Sequence, residues 1–313
     1  FKVRLGFREQ YQFYYENPYL DKEKKLGLYV GIAKFRQKEI PVVTDSNIVI
    51  YYTDDTYIQN ELYVDAGLFI RKHYYLTHHF NVGFRESHVD NIILFLNPNY
   101  HSPSNTAMKL LKIGYTLDYD KRDSKIYPLT GARFYCSVSQ LGLGFLTSLS
   151  RSFLHVNLGA QLNYKIMPKW YSTSTVKYRT ILNNFPPFIF KSGLGYDDFL
   201  RGYEFYVIEG DNYALLSNDL KFNFLPKKVF SFEFIPTEKF NKTFLTGYVN
   251  LFFDFGYVNS TFNYSGDYMS EELLFSGGIG IDFVTYYDKI LRINYAINKF
   301  NEKNLYLHFK IPF

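Results

Sequence analysis

The sequence has little cysteine and no long apolar run: 313 residues contain one cysteine and three methionines. A single cysteine excludes an internal disulfide and a zinc site built on cysteines. Cys136 shares a strand face with Phe134 and Val138, and it is interpreted as a small apolar side chain. No stretch approaches the roughly 18 unbroken apolar residues of a membrane helix, so a helical membrane protein is excluded.

An excess of charge of one sign is also absent. The 35 basic and 30 acidic residues give a net charge of +5, and they are interspersed along the chain. A nucleic-acid-binding protein carries blocks of lysine and arginine, so we expect no nucleic-acid partner.

The catalytic motifs that a sequence can reveal are missing too. There is no G-x-S-x-G elbow, no H-E-x-x-H helix and no P-loop. The pair His78-His79 has no cysteine or carboxylate at ligand spacing and is interpreted as a solvated pair. We therefore expect no enzymatic activity, no catalytic residue, no metal and no cofactor.

Aromatic residues are plentiful, with 31 tyrosines and 32 phenylalanines in a chain whose mean hydropathy is -0.20. These residue types suit β-strands and the boundary between a membrane and water. Helix-favouring runs of alanine, leucine and glutamate are few. The composition favours an all-β fold.

Apolar and polar residues alternate with a period of two, which is the pattern of a strand with one face buried. Comparable alternation occurs at 62–70, 111–120, 154–163, 275–283 and 291–298. In the last segment we expect one set of side chains to face lipid, namely Leu305, Leu307, Phe309 and Ile311, and the other set to face a lumen, namely Tyr306, His308 and Lys310.

Alternation alone also fits a soluble β-sandwich or a lipocalin. The segments are about 9 to 13 residues long, close to the length that a tilted membrane strand needs. Their polar faces are rich in Asn, Gln, Lys, Arg and Asp, as a water-filled lumen permits. These features favour a transmembrane antiparallel β-barrel.

About fourteen such segments can be counted, and barrels of this kind have even strand numbers. Phe1 already lies inside an alternating pattern, so we expect one or two earlier strands and a barrel of about 16 strands. Residues 1–313 are interpreted as a single barrel domain. A signal peptide and an N-terminal periplasmic domain are expected before it.

The longest interruption of the alternation runs from Leu182 to Asp211 and contains Leu200-Arg201-Gly202-Tyr203. A long connection in a compact domain is usually functional. The four residues resemble the [VL]-R-G-[FY] signature of loop 6 in the Omp85 superfamily of outer-membrane barrels (BamA- and TamA-like). In that family, loop 6 folds back into the barrel lumen.

Three further motifs occur in the family's order between residues 112 and 313. The first resembles a D-x-R-D…P-x-x-G periplasmic turn, the second an F-x-D-x-G strand at 253–256, and the third an aromatic C-terminal assembly signal. The turn motif comprises Asp120, Arg122, Asp123, Pro128 and Gly131, and the C-terminal signal comprises Phe309, Ile311 and Phe313. The first 100 residues share with the family only the regular succession of strands and turns.

The resemblance implies that Arg201 lies in the lumen and pairs with Asp254. The family often has a glutamate on the strand after loop 6, where this chain has Lys221; Asp219, on the same strand face, is a possible substitute. An ordinary surface-loop arginine remains the alternative for Arg201. For the 118–123 turn, a solvated turn and a packed one remain equally open.

The resemblance further implies a protein that inserts, assembles or translocates outer-membrane proteins through a seam between its first and last strands. The expected location is a bacterial-type outer membrane. The expected partners are its lipids, unfolded outer-membrane protein clients, and periplasmic or lipoprotein accessory subunits. Two alternatives remain: a barrel that displays a patatin-like or phosphatase-like hydrolase, and a passive porin. N-terminal POTRA repeats would indicate assembly, and a hydrolase domain would indicate the enzyme.

Overall fold

The structure is a computed structural model of the whole chain. It describes residues 1–101, 105–145, 152–182, 186–190, 193–231, 242–260, 267–285 and 289–310. Within these ranges it contains sixteen β-strands, one α-helix and a short 3-10 helix at Phe188–Phe190.

The strands are long and separated mostly by short turns, as the alternation predicts. The elements are β1 (Lys2–Arg4), β2 (Arg8–Asn17), β3 (Leu26–Gln37), β4 (Glu39–Asp45), β5 (Ile48–Thr53), β6 (Gln59–His73), β7 (Leu76–Val89), α1 (Asn91–Leu96), β8 (Ala107–Asp120), β9 (Gly131–Leu141), β10 (Phe153–Met167), β11 (Trp170–Leu182), β12 (Asn212–Ser231), β13 (Lys242–Asn259), β14 (Leu274–Thr285), β15 (Lys289–Asn298) and β16 (Lys303–Lys310).

Fourteen strands form one antiparallel sheet in the order β1-β2-β3-β6-β7-β8-β9-β10-β11-β12-β13-β14-β15-β16. The other two, β4 and β5, form a separate hairpin. The prediction of an all-β antiparallel sheet is confirmed, and the fourteen segments counted in the sequence match the fourteen strands of the sheet. The described ranges contain sixteen strands in total, and fourteen of them form this sheet. No described pairing joins β1 to β16.

The two faces of the sheet differ as the period of two requires. One face is apolar and exposed: Leu158, Leu251 and Leu307 keep 40%, 53% and 70% of their surface accessible. The opposite face, called the polar face below, carries Asp254 and Asp282, both fully buried. In β16 the predicted division holds for the described residues, since Leu305, Leu307 and Phe309 are exposed and Tyr306 is buried.

The strand connections differ at the two ends of the sheet. At one end, the short-turn end, they are brief and include 18–25, 74–75 and 121–130. At the other, the long-loop end, they are extended and include 38–58, 90–106 and 183–211. The segment with Arg201 therefore enters from the long-loop end, opposite the 121–130 turn.

The β4–β5 hairpin lies across the long-loop end. Ser46 and Asn47 form its turn with φ of 51° and 60°, the left-handed conformation that a two-residue hairpin turn favours. The buried Asn47 accepts a hydrogen bond from Val207 N at 2.8 Å through its carbonyl, and its side chain donates to Asp267 Oδ1 at 2.9 Å. The hairpin thereby connects the β3–β6 region with the segments that precede β12 and β14.

Two further contacts secure this hairpin. Thr44 Oγ1 and Tyr196 OH both donate to Glu209 Oε1, at 2.7 Å and 2.6 Å. Burial and the neighbouring Glu209 carboxylate raise the pKa of Tyr196, which therefore stays a neutral hydrogen-bond donor. Ile40 of β4 packs in an apolar cluster with Ile93 of α1.

The short-turn end is also folded inward. Tyr127, in the 121–130 turn, packs against Tyr248 and Ile290, and its hydroxyl donates to Asp282 Oδ2 at 2.8 Å. The turn precedes β9, and Asp282 lies in β14, five strands further along the sheet. The sheet is therefore curled so that distant strands approach one another across the polar face.

The described helices are short. The α-helix α1 has six residues, and no helix within the described ranges is long and apolar enough to cross a membrane.

The two faces of β10 provide a direct test of the barrel interpretation. An arginine at the exposed apolar position Leu158 is expected to lower the free energy of folding into lipid vesicles by about 2–4 kcal/mol, because the charge would lie in hydrocarbon. The adjacent Asn157→Arg, on the polar face, is the matched control and should cost far less. Reversible denaturant titration in vesicles measures both values. Equal costs at the two positions would contradict the interpretation.

Candidate functional site

The segment that carries Arg201 is anchored by its own apolar side chains. Leu194 and Ile208 form an antiparallel bridge, with N to O distances of 3.1 Å and 2.8 Å. Leu200 and Tyr203 are buried in the same apolar cluster, together with Val258 of β13 and other side chains. The residues on either side of Arg201 thus fix the backbone from which its side chain extends.

Arg201 lies on the polar face between two carboxylates. Its Nε and Nη2 donate to Asp254 at 2.6 Å and 2.5 Å, and its Nη1 donates to Asp219 Oδ1 at 2.6 Å. The guanidinium also stacks over Phe252, with Cζ 4.1 Å from the ring centroid. A two-point contact with a carboxylate is the strongest arrangement available to arginine. The structure brings together all three residues that the sequence selected.

Gly202 and Tyr203 attach the same turn to β14 and β15. Gly202 has a φ of 86°, and a Cβ there would lie 3.2 Å from Ser276 Cβ. Its carbonyl accepts a hydrogen bond from Asn298 Nδ2 at 3.0 Å. Tyr203 OH donates to Phe275 O at 3.1 Å. Only a glycine combines this backbone conformation with such a close approach to the sheet.

A second charged cluster adjoins the first toward the short-turn end. Arg292 Nε and Nη2 donate to the two oxygens of Asp282 at 2.7 Å and 2.8 Å, and Asp282 also accepts from Tyr127 OH. Lys221 donates to Thr173 Oγ1 at 3.2 Å. The lysine at the position of the family's glutamate therefore belongs to the polar face, beside Asp219.

The sequence reasoning did not select Asp282 and Arg292 as site residues. They are directly opposed in the β14–β15 pair. Both occupy polar positions of alternating segments. Pairing these two segments as a hairpin could therefore have identified the two residues from the sequence. The contribution of Tyr127 depends on an inward-folded turn, for which the local sequence carries no signal.

The 121–130 turn has an internal hydrogen-bond network, which supports the packed alternative for 118–123, while Lys121 and Asp123 are exposed. Arg122 makes two hydrogen bonds to Asp120, at 2.8 Å and 2.7 Å, and a third to Gln161 Oε1 at 2.7 Å. Asp123 Oδ1 accepts from the backbone N–H groups of 124, 129 and 130. Pro128 is buried beside Tyr127. Gly131 has a φ of 95°, and a Cβ there would lie 2.1 Å from Lys121 O.

The two motifs from opposite ends of the sheet line one polar cavity of about 500 Å³. The turn contributes Arg122 and Tyr127, and the long segment contributes Asp198 and Arg201. Eight basic and four acidic side chains line the cavity, so its walls carry a positive excess. Asp198 accepts hydrogen bonds from Lys177 and Tyr213. This cavity and the ion pairs around it form the candidate functional site.

The predicted C-terminal signal is only partly described by the structure. Of the C-terminal signal, Phe309 is described and is exposed on the apolar face; Ile311 and Phe313 lie outside the described residues.

Within the described ranges, no group of three or more His, Cys, Asp or Glu side chains is placed to hold a metal ion.

Comparison of the sequence with known protein families finds no match. Comparison with curated proteins finds none either. Comparison of the fold with solved structures does find similar proteins. One is BamA from Haemophilus ducreyi lacking POTRA domains 1-3, with 14% sequence identity and a TM-score of 0.65 over 96% of this chain and 61% of that one.

Two CdiB structures are also similar. CdiB from Escherichia coli has 10% identity and a TM-score of 0.57, and CdiB from Acinetobacter baumannii has 13% and 0.54. Each match covers 96% of this chain, and 52% and 49% of the CdiB chains. This chain therefore spans between about half and three fifths of the length of these three structures.

BamA and CdiB are Omp85-type outer-membrane barrels, and this chain has their fold. The resemblance that the four sequence motifs indicate is thus confirmed at the level of fold. Sequence identities of 10% to 14% carry no information on activity or partners.

The ion pair of Arg201 and Asp254 can be tested by a double-mutant cycle. Arg201→Ala is expected to destabilise the docked 193–211 segment by about 3–5 kcal/mol, because it leaves the buried Asp254 carboxylate without its partner. Asp254→Asn should act in the same direction but cost less, because Arg201 keeps its ion pair with Asp219. The double variant should lose less than the sum, with a coupling free energy above about 1 kcal/mol. Hydrogen exchange of the segment measures the opening free energies. Coupling indistinguishable from zero would assign Arg201 to another partner.

The 121–130 turn gives a test with a matched control. Gly131→Ala is expected to lower the thermal unfolding temperature strongly, because the new methyl group would overlap Lys121 O and the backbone is left-handed. Gly144 has a similar φ of 78° with no atom within 4 Å of a Cβ. Gly144→Ala therefore measures the conformational cost alone, which is roughly 1 kcal/mol. Equal effects of the two changes would show that the contact with Lys121 is unimportant.

Proposed function

We propose that this chain is the membrane-spanning barrel of an Omp85-type protein in a bacterial-type outer membrane, and that it acts in the insertion, assembly or translocation of outer-membrane proteins. The observation that carries the proposal is Arg201, held between Asp254 and Asp219 on the polar face by a long inward-folded segment. The exposed apolar face would contact lipid, and the polar face would line the lumen.

The docked segment favours this function over that of a passive porin. A diffusion pore needs an open polar lumen. Here the 193–211 segment and the 121–130 turn both occupy the polar face, and the β4–β5 hairpin lies across the long-loop end. We assign the barrel no catalytic role. Any enzymatic activity of a longer protein would reside in another domain.

A seam between β1 and β16 is the proposed working part. β16 has eight described residues, whereas β13 has eighteen. A closed barrel pairs the backbone groups of every strand, and an unpaired edge in lipid is costly. A strand as short as β16 offers few hydrogen bonds to β1, and Pro312 just after it in the sequence has no backbone N–H to donate. Their junction would therefore be the weakest place in the wall, where an unfolded client strand could pair.

The proposed partners are unfolded outer-membrane proteins, membrane lipid and accessory subunits. Clients would reach the seam as extended strands and pair with the exposed edge of β16 through backbone hydrogen bonds. The carboxylates that bind Arg201 lie on β12 and β13, four and three strands from β16 in the sheet. They would keep this part of the wall rigid while the seam opens.

Locking the seam tests the proposal. In the full-length protein with Cys136→Ala, we introduce Leu307→Cys together with a cysteine at Val3 or a neighbouring position of β1. Oxidation is expected to abolish insertion of a client barrel into lipid vesicles, and a reductant should restore it. The readout is the fraction of client that becomes protease-resistant.

The matched control places cysteines at Ile293 and Leu307, which are paired across β15 and β16. That disulfide joins strands that remain paired in either state, so client insertion should continue under oxidising conditions. Full insertion activity with the seam locked would overturn the proposed role of the seam.

A further inference from the structure

A second cavity, of about 510 Å³, lies on the polar face among β6, β7, β8, β10 and β11. It shares no lining residue with the cavity around Arg201. Its charged lining residues are Asp65, Arg85, Lys112 and Arg179. Neither the sequence motifs nor the proposed function accounts for it.

A slot in this cavity separates two opposite charges. Asp65, Gly83 and Lys112 are aligned across β6, β7 and β8 by the strand register. Asp65 and Lys112 are therefore two strand spacings apart, about 10 Å between their Cα atoms. Gly83 places no side chain between them. A Cβ at Gly83 would meet only Val64 O at 3.7 Å and Asp65 Cβ at 3.9 Å, so the gap above this glycine is empty space.

The two charges that flank the slot make no direct contact, and they act on each other only electrostatically across it. Within the described residues, neither the Asp65 carboxylate nor the Lys112 ammonium makes a hydrogen bond or an ion pair. The Asp65 carboxylate leans toward β3, where Oδ1 lies 2.8 Å from the position of a Cβ on Gly31. Half-buried charges without a direct hydrogen-bonding partner carry a desolvation cost. A ligand that supplies both counter-charges would remove that cost.

The other charged groups of the cavity already make hydrogen bonds within the protein. Arg85 donates to Glu61 Oε1 at 2.5 Å and 3.1 Å. Arg179 Nε donates to His155 Nε2 at 2.6 Å, so that imidazole nitrogen acts as an acceptor. Asp65 and Lys112 are thus the charged pair available to a ligand.

The surroundings limit the size of this ligand. Toward the long-loop end the cavity is closed by an apolar cluster that includes Leu110, Leu141 and Ile181, with Phe190 packed against it. The cavity volume of about 510 Å³ leaves room for a ligand of a few heavy atoms between the two side chains. The smallest ligands that carry both counter-charges have an amino group one or two carbons from an acid group.

We propose that the slot between Asp65 and Lys112 binds a small zwitterion, with its ammonium on Asp65 and its carboxylate or phosphate on Lys112. The binding site is independent of the seam and of Arg201. Its ligand contacts the polar face alone, so binding does not require client insertion.

Calorimetric titration of the full chain in an uncharged detergent tests the proposal. The probes are glycine, O-phosphoethanolamine, acetate and methylammonium. Glycine or O-phosphoethanolamine is expected to bind at least about tenfold more tightly than either singly charged probe, because only a zwitterion satisfies both side chains. The relative affinities of glycine and O-phosphoethanolamine show whether the site prefers a carboxylate or a phosphate.

Three variants locate the site. Asp65→Asn and Lys112→Met are each expected to weaken binding at least about tenfold. Gly83→Val keeps both charges, fills the slot and should abolish binding, while valine suits a strand. Val82→Ile, on the exposed apolar face, is the matched control and should bind as the unaltered chain does. Heat-dependent gel migration verifies that every variant is folded.

Three results would overturn the proposal: no heat of binding with either zwitterion, equal affinity for glycine and acetate, or unchanged affinity in the folded Asp65→Asn variant. With the first result, a large coupling free energy between Asp65→Asn and Lys112→Met would identify the two residues as a structural ion pair that closes the slot.

Discussion

The pairing of one largely buried guanidinium with two carboxylates, of which Asp254 is fully buried, holds a long connection against the C-terminal strands of this protein. Arg201 belongs to a connection, whereas Asp219 and Asp254 belong to β12 and β13. A buried charge without its partner costs several kcal/mol, so the connection is held against the sheet as long as the strands keep their register. Leu200 and Tyr203 add apolar burial on either side of the arginine, and the docking therefore rests on two independent kinds of interaction.

The period of two in the strands makes this arrangement possible. It sends each carboxylate to the same face as its neighbours and each leucine or phenylalanine to the other. Ion pairs, cavities and inward-folded connections thus accumulate on the polar face, while the opposite face remains uniformly apolar. A slip of one residue in any strand would exchange the two faces. In the observed register, Asp282 and Arg292 are directly opposed across a hairpin.

Connections from both ends of the sheet meet on the polar face. The 121–130 turn contributes Tyr127, which binds Asp282 from the short-turn end, and the β4–β5 hairpin reaches Asp267 from the long-loop end. Each contact joins parts of the chain that are far apart in sequence. Together they hold the sheet in its curled form without any described pairing between β1 and β16. The cavities that remain lie between these contacts.

The sequence by itself determined the strands and their two faces, because alternation is a property of neighbouring residues. The pairing of Arg201 with Asp254 was implied by the resemblance of their motifs to those of a known family. The sequence could not determine that β4 and β5 leave the sheet, since a short alternating segment looks the same in a hairpin. It also could not place Tyr127 on Asp282 or keep Asp65 and Lys112 out of direct contact across Gly83. Those features depend on how far the sheet curls and on which distant segments meet, and only the tertiary structure decides that.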